Sequence, residues 1–168
     1  YNRDKNKLFK YSICLNEISF DRFEKEIKKK IKFTKLEKNS DHVILKSIEK
    51  PSKIVPILED FTEISLVGYG KSIEIFKQVG KPSNVVKKFD LNKFSGSHAI
   101  GHTRMATESA ITTDGSHPYS TGEDECLVHN GSLSNHNNLR RKLKKNGSKF
   151  NSDNDTEVAA GYISDSLK

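Results

Sequence analysis

Several kinds of residue are scarce in this chain of 168 amino acids, and each scarcity excludes a class of protein. There are two cysteines, Cys14 and Cys126, and both lie in apolar stretches typical of strands. This excludes a disulfide framework, and we expect a reducing, cytoplasmic location. No apolar run approaches the roughly 20 residues that span a bilayer, and no signal peptide opens the sequence. We therefore expect no membrane partner.

Arginine is also scarce, with 5 arginines against 24 lysines in a chain of net charge +7. Nucleic-acid recognition usually exploits the planar guanidinium fork of arginine and aromatic rings that stack on bases. The lysines instead cluster on one predicted helix without aromatic residues between them, at Lys25, Lys28, Lys29, Lys30 and Lys32. We interpret them as a solvated helix face and expect no nucleic-acid partner.

Six histidines raise the question of a metal site. His98 and His102 share a face of a predicted strand but stand too far apart for easy coordination of one ion. Three others, His117, His129 and His136, have no cysteine or carboxylate at ligand spacing. A serine hydrolase is excluded because no Gly-x-Ser-x-Gly segment is present. The sequence predicts neither a metal nor a cofactor in this chain.

Hydrophobic periodicity predicts a mixed chain of helices and strands without an internal linker, hence a single domain over residues 1–168. Strands are predicted at 10–16, 42–48, 64–69, 72–79, 98–105 and 126–129, and residues 37–41 form a polar break. Helices are predicted at 19–33, 51–61, 82–89, 134–146 and from 154 onward, the last with Val158, Tyr162 and Ile163 on its core face.

Four short polar motifs follow one another between residues 101 and 157, each at the end of an apolar run. They read Gly-His-Thr-Arg-Met-Ala-Thr at 101–107, Ser-His-Pro at 116–118, Val-His-Asn-Gly-Ser at 128–132 and Asp-Asn-Asp-Thr-Glu at 153–157. The ends of strands at a sheet edge would present such residues to a common ligand.

The residue types in these motifs suit ligand recognition. Arg104 could grip a carboxylate with two parallel hydrogen bonds, which the point charge of lysine cannot reproduce. Asp155 could pair with a cationic group, or it could simply cap the helix that begins there. Asn130 and Gly131 could aim two N–H donors at one oxyanion, or they could be only a turn.

In these motifs, residues 97–168 resemble the class II, N-terminal nucleophile glutamine amidotransferases, and most of all the amidotransferase of glutamate synthase and N-methylglutamate synthase. The resemblance implies an α+β fold, the αββα sandwich of that class, with an α/β insertion at about 17–63. It implies glutamine as substrate, a carboxylate grip at Arg104, an ammonium partner at Asp155 and an oxyanion hole at Asn130 and Gly131. Thr107 and His117 would line the pocket, with Met105 at a wall position.

The implied reaction is hydrolysis of glutamine to glutamate, with ammonia supplied to a synthase partner that would carry the FMN and iron–sulfur chemistry. The chain departs from the pattern because the nucleophile should be an N-terminal cysteine and residue 1 is tyrosine. Cys14 is predicted in mid-strand, and Cys126 has the setting of a buried structural thiol. Either the chain is an N-terminally truncated fragment of an enzyme, inactive alone, or it is a non-catalytic module that binds an amino acid or a partner subunit.

Overall fold

The computed structural model describes residues 8–103 and 111–167. The chain divides into two compact units, the first ending at Phe76 and the second beginning at Lys77. Among the described residues there are four β-strands and five α-helices, so the expected α+β class is found. The expectation of one domain with an insertion at about 17–63 stays a prediction.

The first unit is built on one antiparallel sheet with the strand order β2-β3-β1-β4. The strands are β1 (Phe9–Leu15), β2 (Lys35–Asn39), β3 (His42–Ser47) and β4 (Ile64–Gly70). Strand β1 is central, pairing with β3 in a register that sets Cys14 opposite His42 and with β4 in a register that sets Cys14 opposite Ser65. Three of these strands match the predicted ones closely.

Two helices complete the first unit. Helix α1 (Phe20–Lys30) begins where the Ser19 side chain accepts a hydrogen bond from the Arg22 N–H. Helix α2 (Pro51–Glu59) begins with proline, whose missing N–H costs nothing at a helix start. Buried side chains from both helices and the sheet form the core: Tyr11, Ile13, Phe23, Ile27, Val43, Leu45, Ile54 and Leu58.

Two predictions in this unit were wrong. Residues 37–39 of the predicted polar break belong to the edge strand β2, where Glu37 is paired with Lys35 and Lys46, and only residues 40 and 41 form a turn. Charged side chains are common on edge strands because one side of the strand faces water. The predicted strand at 72–79 is absent over its described residues, since the Ile75 N–H donates to the Ser12 hydroxyl (3.1 Å) and not to a strand backbone.

Among residues 77–103 and 111–167 of the second unit, the regular elements are helices. They are α3 (Pro82–Phe89), a 3-10 turn (Leu91–Lys93), α4 (His136–Lys145) and α5 (Asp155–Ser166). Gly147 follows α4 with φ +92°, the left-handed conformation that glycine tolerates best after a helix. Asn154 caps α5 by accepting from the Thr156 N–H at 2.9 Å. The ends of these helices agree with the ends predicted from the sequence to within a few residues.

The strands predicted for this unit were wrong in their described parts. Residues 98–103 are irregular, and Ile100 is 57% exposed. An apolar run becomes a strand only if a neighbour takes its backbone hydrogen bonds. The segment 126–129 contributes a single bridge, between Tyr119 and Leu127. On α5, Val158 is buried as expected, but Tyr162 and Ile163 are exposed.

The sheet of the first unit is the only one among residues 8–103 and 111–167, so the second sheet of an αββα sandwich is not seen there. The sandwich therefore stays a proposal. Within the same residues, none of the helices combines the length and the apolar character required to cross a membrane.

Candidate functional site

Short backbone pairing brings two of the four motifs together in the second unit. The Tyr119 N–H donates to the Leu127 carbonyl at 2.9 Å, and the Leu127 N–H returns a bond of 2.7 Å. His117 and His129 each lie two residues from a member of this bridge. His117 is 8% exposed, and its ring packs edge-on against Tyr119 with centroids 5.1 Å apart. The bridge therefore fixes the relative position of the histidines.

The 101–107 motif also reaches this place through its described part. The His102 ring stacks on the His117 ring with centroids 4.2 Å apart. Arg104, Met105 and Thr107 lie outside the described residues, so their predicted roles stay predictions.

Thr156, in the first turn of α5, joins the fourth motif to the histidines. Its hydroxyl lies 3.1 Å from Nε2 of His117 and 3.5 Å from Nδ1 of His129, and the residue is only 1% exposed. One hydroxyl group can donate one hydrogen bond and accept others. Thr156 can therefore hold both imidazoles at once.

Asp155, the preceding residue, fastens the loop that follows Asn130 and Gly131. Its Oδ2 accepts a hydrogen bond of 2.6 Å from the Leu133 N–H, and its Oδ1 lies 3.4 Å from the Thr156 hydroxyl. A carboxylate at a helix start is also favoured by the partial positive charge of that end. Asp155 therefore lies against the loop that carries the candidate oxyanion donors.

Asn130 and Gly131 are both exposed. A Cβ atom on Gly131 would lie 2.7 Å from Nε2 of His129, so the His129 ring packs directly against the glycine. Because glycine has no side chain, a ligand could approach the exposed backbone N–H of Gly131 closely. The oxyanion role of the two residues stays a prediction.

Glu157 completes the first turn of α5 by ordering the loop ahead of it. Its carboxylate accepts bonds of 2.8 Å from the backbone N–H groups of Asn151 and Ser152, and one more from the Ser152 hydroxyl. The side chain is 6% exposed. A buried carboxylate with three donors is well satisfied.

Sequence reasoning missed Thr156, His129 and Glu157 as parts of this site. A signal was available, because Asn154 followed three residues later by Glu157 is the spacing of a capping box. That pattern marks the first helical turn as a place where side chains reach back to preceding loops.

Neither cysteine has the setting of a nucleophile. Cys14 is 3% exposed in the middle of β1. Cys126 is partly buried, and this burial raises the pKa of its thiol, which disfavours the reactive thiolate.

Comparison with known proteins finds relatives whose names all refer to glutamine-dependent group transfer. The chain is 62% identical over 101 residues to the glutamine amidotransferase-like protein GlxB of Rhizobium meliloti, covering 60% of this chain and 34% of that protein. It is 32% identical over 135 residues to a putative glutamine amidotransferase of Methanothermobacter thermautotrophicus, covering 76% of this chain and 44% of the relative. A glutamine–fructose-6-phosphate aminotransferase of Wigglesworthia glossinidia brevipalpis is 41% identical over 107 residues, covering 62% of this chain and 17% of the relative.

The matched regions thus span less than half the length of these relatives. No solved structure matches the chain. The family model described as the glutamine amidotransferase domain matches residues 91–165, the stretch that contains all four motifs. Residues 91–165 of this chain are therefore similar in sequence to a glutamine amidotransferase domain.

Proposed function

We propose that the domain binds glutamine and hydrolyses its side-chain amide, as class II amidotransferases do, and that the ammonia passes to a synthase partner. The observation that carries the proposal is the convergence of motifs on the first turn of α5. Thr156 contacts His117 and His129, and Asp155 contacts Leu133, all within the stretch that matches the amidotransferase domain.

Each charged end of glutamine has a proposed partner. Arg104 binds the α-carboxylate in a bidentate fashion, and Asp155 binds the α-ammonium. Two partners of opposite charge fix the orientation of an amino acid and so place its amide for attack. Thr107 and His117 line the pocket.

The chemical step follows the class II pattern. A cysteine thiolate attacks the carboxamide carbon, the amide nitrogen leaves as ammonia after gaining a proton, and water then hydrolyses the glutamyl thioester to glutamate. Asn130 and Gly131 donate to the oxyanion, and loss of one such donor typically costs about 3–4 kcal/mol of transition-state stabilisation. The resemblance to the class II enzymes implies an N-terminal cysteine as the nucleophile, and the settings of Cys14 and Cys126 do not suit that role.

Binding of glutamine tests the pocket without requiring turnover. We expect calorimetry to give saturable glutamine binding that Arg104→Lys weakens at least tenfold, because lysine cannot make two parallel bonds to a carboxylate. Arg141→Lys is the matched control, since Arg141 is exposed on α4. Equal glutamine affinity of the Arg104→Lys and Arg141→Lys proteins would contradict the proposal.

A second candidate function is a non-catalytic module that binds an amino acid or a partner subunit through the same residues. The settings of Cys14 and Cys126 favour it. Ammonia release from glutamine by the protein expressed from its complete reading frame separates the two. Release that requires an N-terminal cysteine supports the enzyme, whereas binding without release supports the module.

The ammonia acceptor is proposed from the motifs at residues 99–109 and 128–141, which most resemble glutamate synthase and N-methylglutamate synthase. The partner would contain FMN and iron–sulfur clusters, and the pathway would be glutamate biosynthesis. Glutamine labelled with ¹⁵N in its amide should label the amino group of glutamate when that partner is present. Label in an amino sugar phosphate would instead indicate an acceptor like that of the aminotransferase relatives.

A further inference from the structure

Three side chains of the first unit that can bind metals meet at one end of the sheet. They are Cys14, Asp41 and His42, and one sulfur, oxygen or nitrogen atom from each lies within 4.8 Å of the corresponding atoms of the other two. All three lie outside residues 91–165, the stretch that matches the glutamine amidotransferase domain.

Strand pairing is the reason for their proximity. Cys14 on β1 stands directly opposite His42 on β3, and the Leu15 N–H donates to the Asp41 carbonyl at 2.8 Å. Side chains of directly opposed residues on antiparallel strands have Cβ atoms only about 5 Å apart. Cys14 and His42 therefore lie on paired strands, and Asp41 lies in the turn just before β3.

The burial of the three residues differs in a useful way. Cys14 is 3% exposed and His42 is 0% exposed, while the Asp41 side chain is 36% exposed. An ion could approach from the side of Asp41 and reach the sulfur and the imidazole. The ring of Phe76 lies 5.9 Å from the His42 ring and forms an apolar wall, which strengthens electrostatic attraction to an ion.

We propose that Cys14, Asp41 and His42 form a zinc site with the fourth position taken by water. Thiolate, imidazole and carboxylate are the three ligand types that proteins use for Zn²⁺. The sulfur ligand disfavours Mg²⁺ and Ca²⁺, which take oxygen. In a tetrahedral site the ligand atoms stand roughly 3.5 Å apart, so small side-chain rotations suffice to close the cluster on the ion.

The His42–Asp41 contact fits this site. Nδ1 of His42 lies 2.9 Å from Oδ1 of Asp41. A carboxylate in contact with a metal-binding histidine orients the ring and raises its basicity. Asp41 can ligate the ion with its second oxygen while Oδ1 orients His42, so its loss should weaken binding of the ion.

Cobalt is a suitable probe because Co²⁺ prefers similar ligands and gives a thiolate charge-transfer band when it binds sulfur. The chain, kept reduced with a phosphine, is titrated with Co²⁺ and then with Zn²⁺. We expect one Co²⁺ per chain, an absorption band from the sulfur ligand, and its loss when Zn²⁺ displaces Co²⁺. The Cys126→Ser protein, which removes the other thiol, should behave like the wild type.

Two variants test the ligands. Cys14→Ser should abolish the band, and Asp41→Asn should lower the affinity for Zn²⁺ by about tenfold to a hundredfold. Circular dichroism shows whether Cys14→Ser still folds. If Cys14→Ser does not fold, Asp41→Asn provides the test of the proposal. Asp41 is partly exposed, and the amide of asparagine has nearly the same shape as the carboxylate it replaces. Absence of saturable Co²⁺ binding by the wild type, a band that depends on Cys126, or unchanged affinity in Asp41→Asn overturns the proposal.

Discussion

The Asp155 carboxylate accepts a hydrogen bond of 2.6 Å from the backbone N–H of Leu133, 22 residues earlier in the chain. The bond ties the start of α5 to the loop after Asn130 and Gly131. The same carboxylate is the proposed partner of the α-ammonium of glutamine. Structural and binding roles can be separated by substitution.

Asp155→Ala should lower the free energy of unfolding by about 1–2 kcal/mol, because the Leu133 N–H loses a charged acceptor. Asp155→Asn keeps an acceptor oxygen and should lower the free energy of unfolding by a smaller amount. Glutamine affinity should nevertheless fall in both variants, since neither keeps the negative charge. Urea denaturation and calorimetry measure the two effects, and full glutamine affinity in Asp155→Asn would refute the ammonium role.

Thr156→Val should destabilise the second unit by about 1–2 kcal/mol, since valine keeps the shape but removes the hydroxyl near two buried or half-buried imidazoles. Thr156→Ser keeps the hydroxyl and is the matched control. Nitrogen chemical shifts of His117 and His129, measured by NMR, should change in the valine variant and not in the serine variant. Unchanged His117 shifts in Thr156→Val would show that the contact is unimportant.

Gly131→Ala should displace the His129 ring, because the added Cβ would lie 2.7 Å from its Nε2. We expect a loss of about 1–2 kcal/mol of unfolding free energy from this crowding. Gly101→Ala is the control, since a Cβ there meets no atom within 4 Å. Thermal unfolding of the two proteins gives the comparison, and equal midpoints would contradict the packing described for Gly131.

The stability that Glu37 contributes at the sheet edge is expected to depend on pH. Hydrogen bonds from Lys35 and Lys46 lower the pKa of Glu37 below its usual value. A lowered folded pKa means that the stabilisation is complete above the unfolded value of about 4.3 and is lost as the pH falls through the folded value. Because the pair is partly exposed, the effect should be no more than about 0.5 kcal/mol.

Glu37→Gln tests this expectation. The difference in unfolding free energy between wild type and variant should be present at neutral pH and vanish in acid. Urea denaturation at several pH values measures it. A difference that grows as the pH falls would have the wrong sign for the pairing.

The elements predicted best from sequence are those whose ends depend on local chemistry. Ser19, Asn154 and Gly147 mark helix ends through side-chain caps or positive φ, and such signals are visible in a few neighbouring residues. Strands depend on partners distant in sequence. The apolar run at 98–103 therefore looked like a strand, and the charged β2 did not.

The candidate site shows the same division. His117 and Asp155 were chosen by residue type and motif, but the contact of Thr156 with His117 joins residues 39 apart. The proposed zinc site could not be predicted from sequence, because only the β1–β3 register sets Cys14 against His42. Motifs identify the chemical groups, whereas strand pairing and other long-range contacts decide which of these groups lie close together in the fold.

Three consecutive side chains at the beginning of α5 each secure a different stretch of backbone or ring. Asp155 secures Leu133, Thr156 secures the histidines, and Glu157 secures residues 151 and 152. Fraying of that single helical turn would release all of them together. Whatever unwinds or stabilises this turn would therefore change all of these contacts together.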